Sequence, residues 1–310
     1  MGSSQLSSKR SNLWGVVRLT RPGNLAIAAA TMCTLKWGWL DRWPGSPASL
    51  STGILMIAGT AVVVLLMAAG NLINAYFDVD EDRINRPERA LVDRVVKRRV
   101  LILTHQVINA LGIIVAIWLA FLTHNLLEAA VAVLISFLLW RYSARWKGRP
   151  IVGNFVVAAL LAAVPLWLLL IEWKAWAPNE HLKLTAGLGT FAFFALAVGW
   201  MREMVKDALD IEGDRSAGKN TWAVLHGPEH TRRRIVQGTL ATAAAYILLL
   251  SWLANLMSGI AWAGTSLPAV FLLLTAWSLR GEKPRWHKAN QLLKWTLVAG
   301  FAQALWLPAL

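Results

Sequence analysis

The sequence predicts an all-α membrane protein in which about nine transmembrane helices surround a central cavity. Three observations lead there. Apolar residues make up 56% of the 310 positions and charged residues only 15%, outside the usual range for soluble domains. The apolar residues fall into runs of roughly 17 to 25, the length a helix needs to cross the hydrocarbon. Lysine and arginine concentrate in alternate loops between those runs, as they do when those loops stay in the cytoplasm.

The runs can be taken in order. Residues 1–12 are polar and read as a flexible tail, and the first run, 22–40, carries no small-residue cleavage site, so it is expected to remain as a span. The run 51–76 leads into an acidic segment. Runs 100–122 and 126–141 are separated only by a turn around His124 and Asn125; the second is short, but the loop charges require a crossing there. Runs 151–171 and 184–204 follow, the latter leading into a second acidic segment, and 236–257, 261–279 and 289–308 complete the set. No domain-sized polar insert interrupts the series, so one domain over 1–310 is expected. Cys33 is the only cysteine and can form no intrachain disulfide.

With the N-terminus in the cytoplasm, only Lys36, Arg42, Lys174 and Lys183 of the 31 Lys and Arg residues fall on the outer side. The net charge of +14 then reads as topology and as attraction to anionic headgroups of the cell membrane. A nucleic-acid partner is not expected, because the spans keep the basic loops apart.

The chemistry lies in the two acidic segments. Asn71, Asn74, Asp78 and Asp82 follow one another in steps of three and four, and so do Asp207, Asp210 and Asp214. Each set therefore shares a helical face and presents a ladder of oxygen atoms. Carboxylates at this spacing, with no paired His or Cys, suit Mg²⁺ better than zinc. Both ladders fall at cytoplasmic ends of their helices, among Arg83, Arg86, Arg89, Arg141, Lys147, Arg202 and Lys206. A solvated loop acid explains any one of these aspartates but not two ladders on one membrane side. A mouth where carboxylates hold metal, and metal and cations hold phosphate, points to a diphosphate on an apolar tail. Asn71 and Asn74 fit either ligand contact or interhelical hydrogen bonding.

The stretches "GNLINAYFDVDEDRINRPER" and "REMVKDALDIEGDRSAGKNT" resemble the first and second aspartate motifs of the UbiA superfamily of intramembrane prenyltransferases, and "YSARWKGRPIVGN" resembles a third motif. Within that superfamily the likeness is greatest to the branch that adds a geranylgeranyl group to the free hydroxyl of geranylgeranylglyceryl phosphate, forming an ether lipid. The resemblance implies a nine-helix fold, a prenyl diphosphate, a lipophilic acceptor and two Mg²⁺ ions. It implies that Asp78 and Asp82 bind one ion with Asn74 beside them, and that Asp210 and Asp214 bind the other with help from Asp207. It assigns Arg86, Lys147, Arg202 and Lys206 to phosphate oxygens and Tyr142 to the reacting centre. Arg21 and Asn24, in the "RPGN" of the first span, resemble that branch's opening motif and would touch acceptor or donor. The basic residues from Arg89 to Arg99 would accommodate the acceptor's phosphate.

This chain departs from the family where Asn74-Ala75 replaces Asn-Asp. A neighbouring residue on a helix points about 100° away, so Ala75 need not empty the ladder through Asp78 and Asp82; Asp80 faces another direction and is no substitute. The loop "ALVDRVVKRR" also differs from the family's usual one. An aromatic acceptor, as in quinone, haem or chlorophyll prenylation, remains an alternative within the class. A transporter is the alternative outside it, disfavoured because the spans carry few ionisable groups near their centres. Trp37, Trp43, Trp140, Trp146, Trp173 and Trp176 lie near span ends and read as interfacial belts. Trp200 reads as core packing or prenyl-chain lining, and His105, His226 and His230 as loop or surface residues.

Overall fold

The computed structural model describes residues 12–47, 50–85, 87–88, 90–253 and 259–307. The expected tail, except Asn12, together with Arg86, Arg89, residues 254–257 of the run 236–257 and Pro308 of the last run, lies outside the described residues. A short helix, α1, covers residues 12–19. It is followed by α2 (Pro22–Trp37), α3 (Leu50–Phe77), α4 (Val79–Asn85), α5 (Arg98–Thr123), α6 (Leu126–Arg141), α7 (Val152–Glu172), α8 (His181–Leu209), α9 (Ile211–Ser216), α10 (Trp222–Leu253), α11 (Gly259–Ser278) and α12 (Trp286–Ala302). The described residues contain no strand, only an isolated bridge between Val92 and Val96.

A helix stands at each of the nine expected places. Five are long and apolar enough to cross a membrane by length and composition: Thr52–Phe77, Arg98–Thr123, Leu126–Trp146, Val152–Glu172 and Pro178–Leu209. The count of nine crossings therefore does not follow from helix length alone. α2 and α12 have 16 and 17 residues, and α10 begins well before the apolar run, in the charged stretch around Arg232, and breaks at Gly227 (φ 77°) before Pro228. The chain is an integral membrane protein all the same, since so much of its surface is hydrocarbon-like: Leu103, Val107, Ile114, Phe121, Val133 and Phe137 all point outward from α5 and α6. The expected turn between α5 and α6 is two residues long, with His124 in the left-handed region (φ 52°).

α3 packs on α5, α7 on α8, and α8 also on α10 and α12. The core they enclose runs through Met32, Leu35, Val62, Leu66, Leu168, Leu188, Val198, Leu293 and Phe301. Two expected belt residues, Trp43 and Trp176, are buried in it, stacked edge to face with each other and, through Trp39, with Phe191. Their loops fold back over the helix ends, so proximity to a span end did not mean contact with lipid. Trp37, Trp140 and Trp173 are exposed as belts require, and Trp146 is half-buried beneath Arg141. Trp200 packs on Phe155 and does not line the cavity described below. His105 lies inside α5, half-buried, with its Nδ1 at 3.0 Å from the Ala69 carbonyl. It is thus an interhelical link and no loop residue.

Lys36, expected at the outer surface, is fully buried between Glu172 (2.8 Å) and Asp41 (2.9 Å), and the Trp176 indole N–H donates to Glu172 at 3.1 Å. The cluster ties α2 to α7 at the end opposite the acidic segments. Lys36→Met would leave two carboxylates facing each other without a cation. Unfolding in detergent should show a loss of about 3–5 kcal/mol, and an unchanged transition would mean that the pair carries no stability.

Candidate functional site

The two acidic segments are built alike. α3 stops at Phe77 and α4 begins at Val79; α8 stops at Leu209 and α9 begins at Ile211. Asp78 and Asp210 stand at the two breaks. The i to i−4 hydrogen bonds nevertheless continue through them, Asp78 N–H to Asn74 and Asp82 N–H to Asp78 in the first, Asp210 N–H to Lys206 and Asp214 N–H to Asp210 in the second, so both ladders keep their facing. α4 packs directly on α9. Asn85 clamps the two: its amide N–H₂ donates to the Asp210 carbonyl at 3.4 Å, and its oxygen accepts from the Gly213 N–H at 3.1 Å. A Cβ on Gly213 would collide with the Asn85 amide, so glycine there permits the close approach.

The third motif supplies the cation between them. α6 ends in a single π turn over Tyr142–Trp146, with the Lys147 N–H bonded to the Tyr142 carbonyl at 2.9 Å; such turns recur at functional sites because they re-aim side chains. Tyr142, Ser143 and Lys147 thereby face the acids. Ile151 follows at φ 67°, ψ −52°, with the Val152 N–H bonded to the Pro150 carbonyl, a strained γ-turn for a β-branched residue. Lys147 bonds Asp78 and lies 3.7 Å from Glu81, while Lys219 bonds Glu81 and lies 3.7 Å from Asp78. Burial opposes the charge of Lys147, but Asp78 and Glu81 outweigh it and raise the pKa above the usual lysine value. Burial raises the Glu81 carboxyl even against the pull of Lys147. It also pushes Asp214 to about 6, with Lys219 and Lys147 offsetting part of the effect.

All of these charged groups except Lys219 line one cavity of about 340 Å³ whose wall also includes Asp82, Asp207 and Asp210. Asn71, Asn74, Tyr142, Lys147, Arg202, Lys206, Arg21 and Asn24 line it too, so the fold brings together every expected site residue except Arg86, which lies outside the described residues. Farther in, the wall becomes apolar: Val62, Leu66, Ile135, Leu161, Val164 and Trp167. From Asp78 to Val62 along α3 is about 24 Å at the helical rise. The cavity is charged at its mouth and greasy along its depth.

Several residues that matter here were not expected. Glu81 lies one turn past Asp78, and the three-residue step that relates Asn71 to Asn74 could have found it. Lys219, Asn85 and Asn154 lie inside the three motif stretches but were given no role, because their partners are distant; the Asn154 amide donates to Asp207 at 2.9 Å. Asn71 donates to the Thr20 carbonyl at 2.8 Å, which makes it an interhelical link that also lines the cavity. Asp80 is exposed beside Arg83, as its facing required. In the loop after α4, Asp93 lies close to Arg83 and Arg98, Arg94 donates to the Pro87 carbonyl, and Arg94, Lys97, Arg98 and Arg99 do not line the cavity.

The donor set suits Mg²⁺. Among the described residues no three His, Cys, Asp or Glu side chains converge as a metal cage. Mg²⁺, however, is usually held by one or two carboxylates together with substrate phosphates. The Asn74 amide nitrogen donates to Asp78 at 2.6 Å, and its buried oxygen has no hydrogen-bond partner, which leaves a lone pair suited to a hard cation.

Ala75 points away from this chemistry. It is buried with Val16, Leu72, Val79, Val92, Val96 and Leu101, in a cluster that fastens α1 and the loop after α4 to α3. The substitution of Ala for the family's aspartate and the apolar "ALVDRVV" loop thus belong to one packing arrangement.

Residues 30–298 match the profile of the UbiA prenyltransferase family. The chain is 35% identical over 212 residues to the digeranylgeranylglyceryl phosphate synthase of Thermococcus kodakarensis, covering 68% of each. It is 33% identical over 248 residues to that of Methanoregula boonei, covering 80% of this chain and 81% of the relative. Among solved structures it is similar to a digeranylgeranylglyceryl phosphate synthase (TM-score 0.62, 19% identity, 96% of this chain and 99% of that one). It is also similar to a UbiA homologue from Archaeoglobus fulgidus bound to DMAPP and Mg²⁺ (TM-score 0.54, 18% identity, 94% and 99% covered). The structural likenesses establish a common helical fold.

Ala75→Asp should lower stability by about 2–4 kcal/mol, because it puts a carboxylate into an apolar cluster, and should not raise turnover; a variant equally stable and faster would show that Ala75 faces the site. A second expectation concerns pH. With Asp214 as a Mg²⁺ ligand, its raised pKa would let a proton compete with the metal up to about pH 6, so the Mg²⁺ needed for half-maximal activity should climb as pH falls through that value and level off above it. A Mg²⁺ requirement independent of pH between 5 and 7 would contradict this placement of Asp214.

Proposed function

The chain belongs to the UbiA prenyltransferase family, and from that premise we propose that it transfers a geranylgeranyl group from its diphosphate to the hydroxyl of geranylgeranylglyceryl phosphate, forming an ether lipid. The observation that carries this reading is the single cavity with acids and cations at its mouth and hydrocarbon along its depth. A diphosphate on an isoprenoid tail has the same division. The names of the relatives support the acceptor, and the Mg²⁺ in the Archaeoglobus homologue supports the metal.

Six carboxylates, Asp78, Glu81, Asp82, Asp207, Asp210 and Asp214, face two ammonium groups, Lys147 and Lys219. Divalent ions bridging these acids to the diphosphate would offset that excess of negative charge. Asp78 and Asp82, with the Asn74 oxygen, would hold one; Asp210 and Asp214 would hold the other, with Asp207 near. Bound Mg²⁺ supplies Lewis-acid withdrawal of charge from the diphosphate. Lys147, at the meeting point of the acids, would add its charge at the oxygen that departs with the pair of electrons from C1. The Tyr142 ring would stand beside the allylic cation this leaves. The acceptor hydroxyl then forms the new C–O bond, and its proton passes to the departing diphosphate. The apolar wall around Val62, Leu66 and Leu161 holds the prenyl chain and excludes water that would otherwise capture the cation. The bias of Lys and Arg toward one set of loops supports a mouth on the cytoplasmic face of the cell membrane, with the chain acting as one domain.

The test is purified protein in detergent with Mg²⁺, labelled geranylgeranyl diphosphate, and either geranylgeranylglyceryl phosphate or an aromatic acid, read by product mass. The ether lipid is expected, and EDTA should abolish it. Asp78→Ala and Asp214→Ala should each reduce transfer by about a thousandfold or more without loss of fold. Near-normal turnover in either variant, or prenylation of the aromatic acid alone, would overturn the assignment.

A further inference from the structure

We infer that the turn joining α11 to α12 binds one anionic phospholipid of the surrounding membrane, its headgroup held by Arg285 and Lys288 over Trp277 and one of its chains lying along α11. None of these three residues lines the cavity, so the site is separate from the prenyl-transfer chemistry and does not depend on it.

α11 presents two faces. Ala269, Leu272, Thr275 and Ala276 are buried against the bundle, while Leu267, Val270, Leu274 and Trp277 are exposed. The exposed set follows steps of three and four, so it forms one apolar stripe along the helix. The stripe ends at the Trp277 indole, 54% exposed, beside a loop that carries Arg280, Lys283, Arg285 and Lys288.

The turn is built to bring charge back over that indole. Gly281 takes up φ 89°, and the Arg285 N–H donates to the Ser278 carbonyl at 3.0 Å. Arg232 of α10 donates to the Leu279 and Gly281 carbonyls at 3.2 and 2.6 Å, which ties the turn to the bundle. The Arg285 guanidinium then lies 5.4 Å from the Trp277 ring centre, and the Lys288 ammonium, from the first turn of α12, lies 5.9 Å from it. Arg232 is itself paired with Glu229. Arg285 and Lys288 have no ion pair among the described residues, and Glu282, exposed in the same turn, bonds neither.

Ordinary anchoring at a membrane boundary accounts for a tryptophan with one cation from its own segment, as in Trp14 with Arg18 and Trp146 with Arg141. Trp277 differs, because two cations from beyond a turn converge on its ring. Each is attracted to the ring face, yet the two repel each other, and an anion between them relieves that repulsion. The apolar stripe directly below the indole identifies the anion as a lipid phosphate, since free phosphate has no use for it. α12 starts at this turn and carries Lys294, Leu297 and Phe301 to the cavity wall, so a lipid bound here would brace that helix.

The experiment titrates full-length protein in detergent with phosphatidylglycerol or phosphatidylcholine of identical chains, counting bound lipid by native mass spectrometry and recording Tm. The wild type should bind one phosphatidylglycerol about tenfold or more tighter than phosphatidylcholine, with a rise in Tm. In Arg285→Gln/Lys288→Gln that preference should fall by about tenfold, and each single variant should show part of the loss. Trp277→Leu keeps the stripe but removes the ring, and should weaken binding severalfold. Arg233→Gln/Arg234→Gln removes the same charge from α10 and should leave the preference unchanged. Equal losses in the two double variants would mean diffuse attraction to a positive surface and would overturn the inference. So would equal binding of the two lipids by the wild type, or displacement of the lipid by equimolar glycerol phosphate, which has the anion without the chain.

Discussion

Ionised groups beside hydrocarbon must be matched within a few ångströms, because little water is available to screen them. Much of this molecule's cavity mouth is arranged by that requirement. Asp78 and Glu81, on consecutive turns across the break after α3, share Lys147 and Lys219, and these two lysines come from segments far apart in the chain. α6 ends in a π turn that aims Lys147 inward, and the segment after α9 turns back so that Lys219 reaches the same acids. Asn85 holds the short helices α4 and α9 together, which keeps the two sets of carboxylates on one opening.

Each acidic helix breaks at an aspartate and resumes as a short helix on the same hydrogen-bond ladder. The break lets the carboxylates turn over the cavity while the long helix behind it lines the apolar depth. Charge and grease are therefore displayed along one continuous wall, α3 carrying Asp78 at one end and Val62 at the other. A substrate with a charged head and an isoprenoid tail is oriented by this gradient alone, before any specific contact forms.

Much of the site could be read from local spacing. Asp78, Asp82, Asp207, Asp210 and Asp214 were legible because steps of three and four on a helix determine facing whatever the helix packs against. Lys147 followed from its motif. Glu81 was within reach of the same argument. Lys219, Asn85 and Asn154 stand in the motif stretches too, but their roles were not legible, since each acts on a partner in a distant segment: Lys219 and Glu81 are 138 residues apart. The buried Trp43, Trp176 and Lys36 were misread for a related reason. Position near a span end indicates a membrane boundary, but only packing decides whether a loop folds back and covers it.

Composition and periodicity by themselves determined the membrane class, the places of the helices and the two acidic ladders, because these depend on residues within a few turns of one another. Tertiary structure decided which ammonium meets which carboxylate and that Ala75 lies in an apolar cluster beneath the loop. Those outcomes depend on how helices distant in the chain pack together, and no local pattern of side chains encodes that packing.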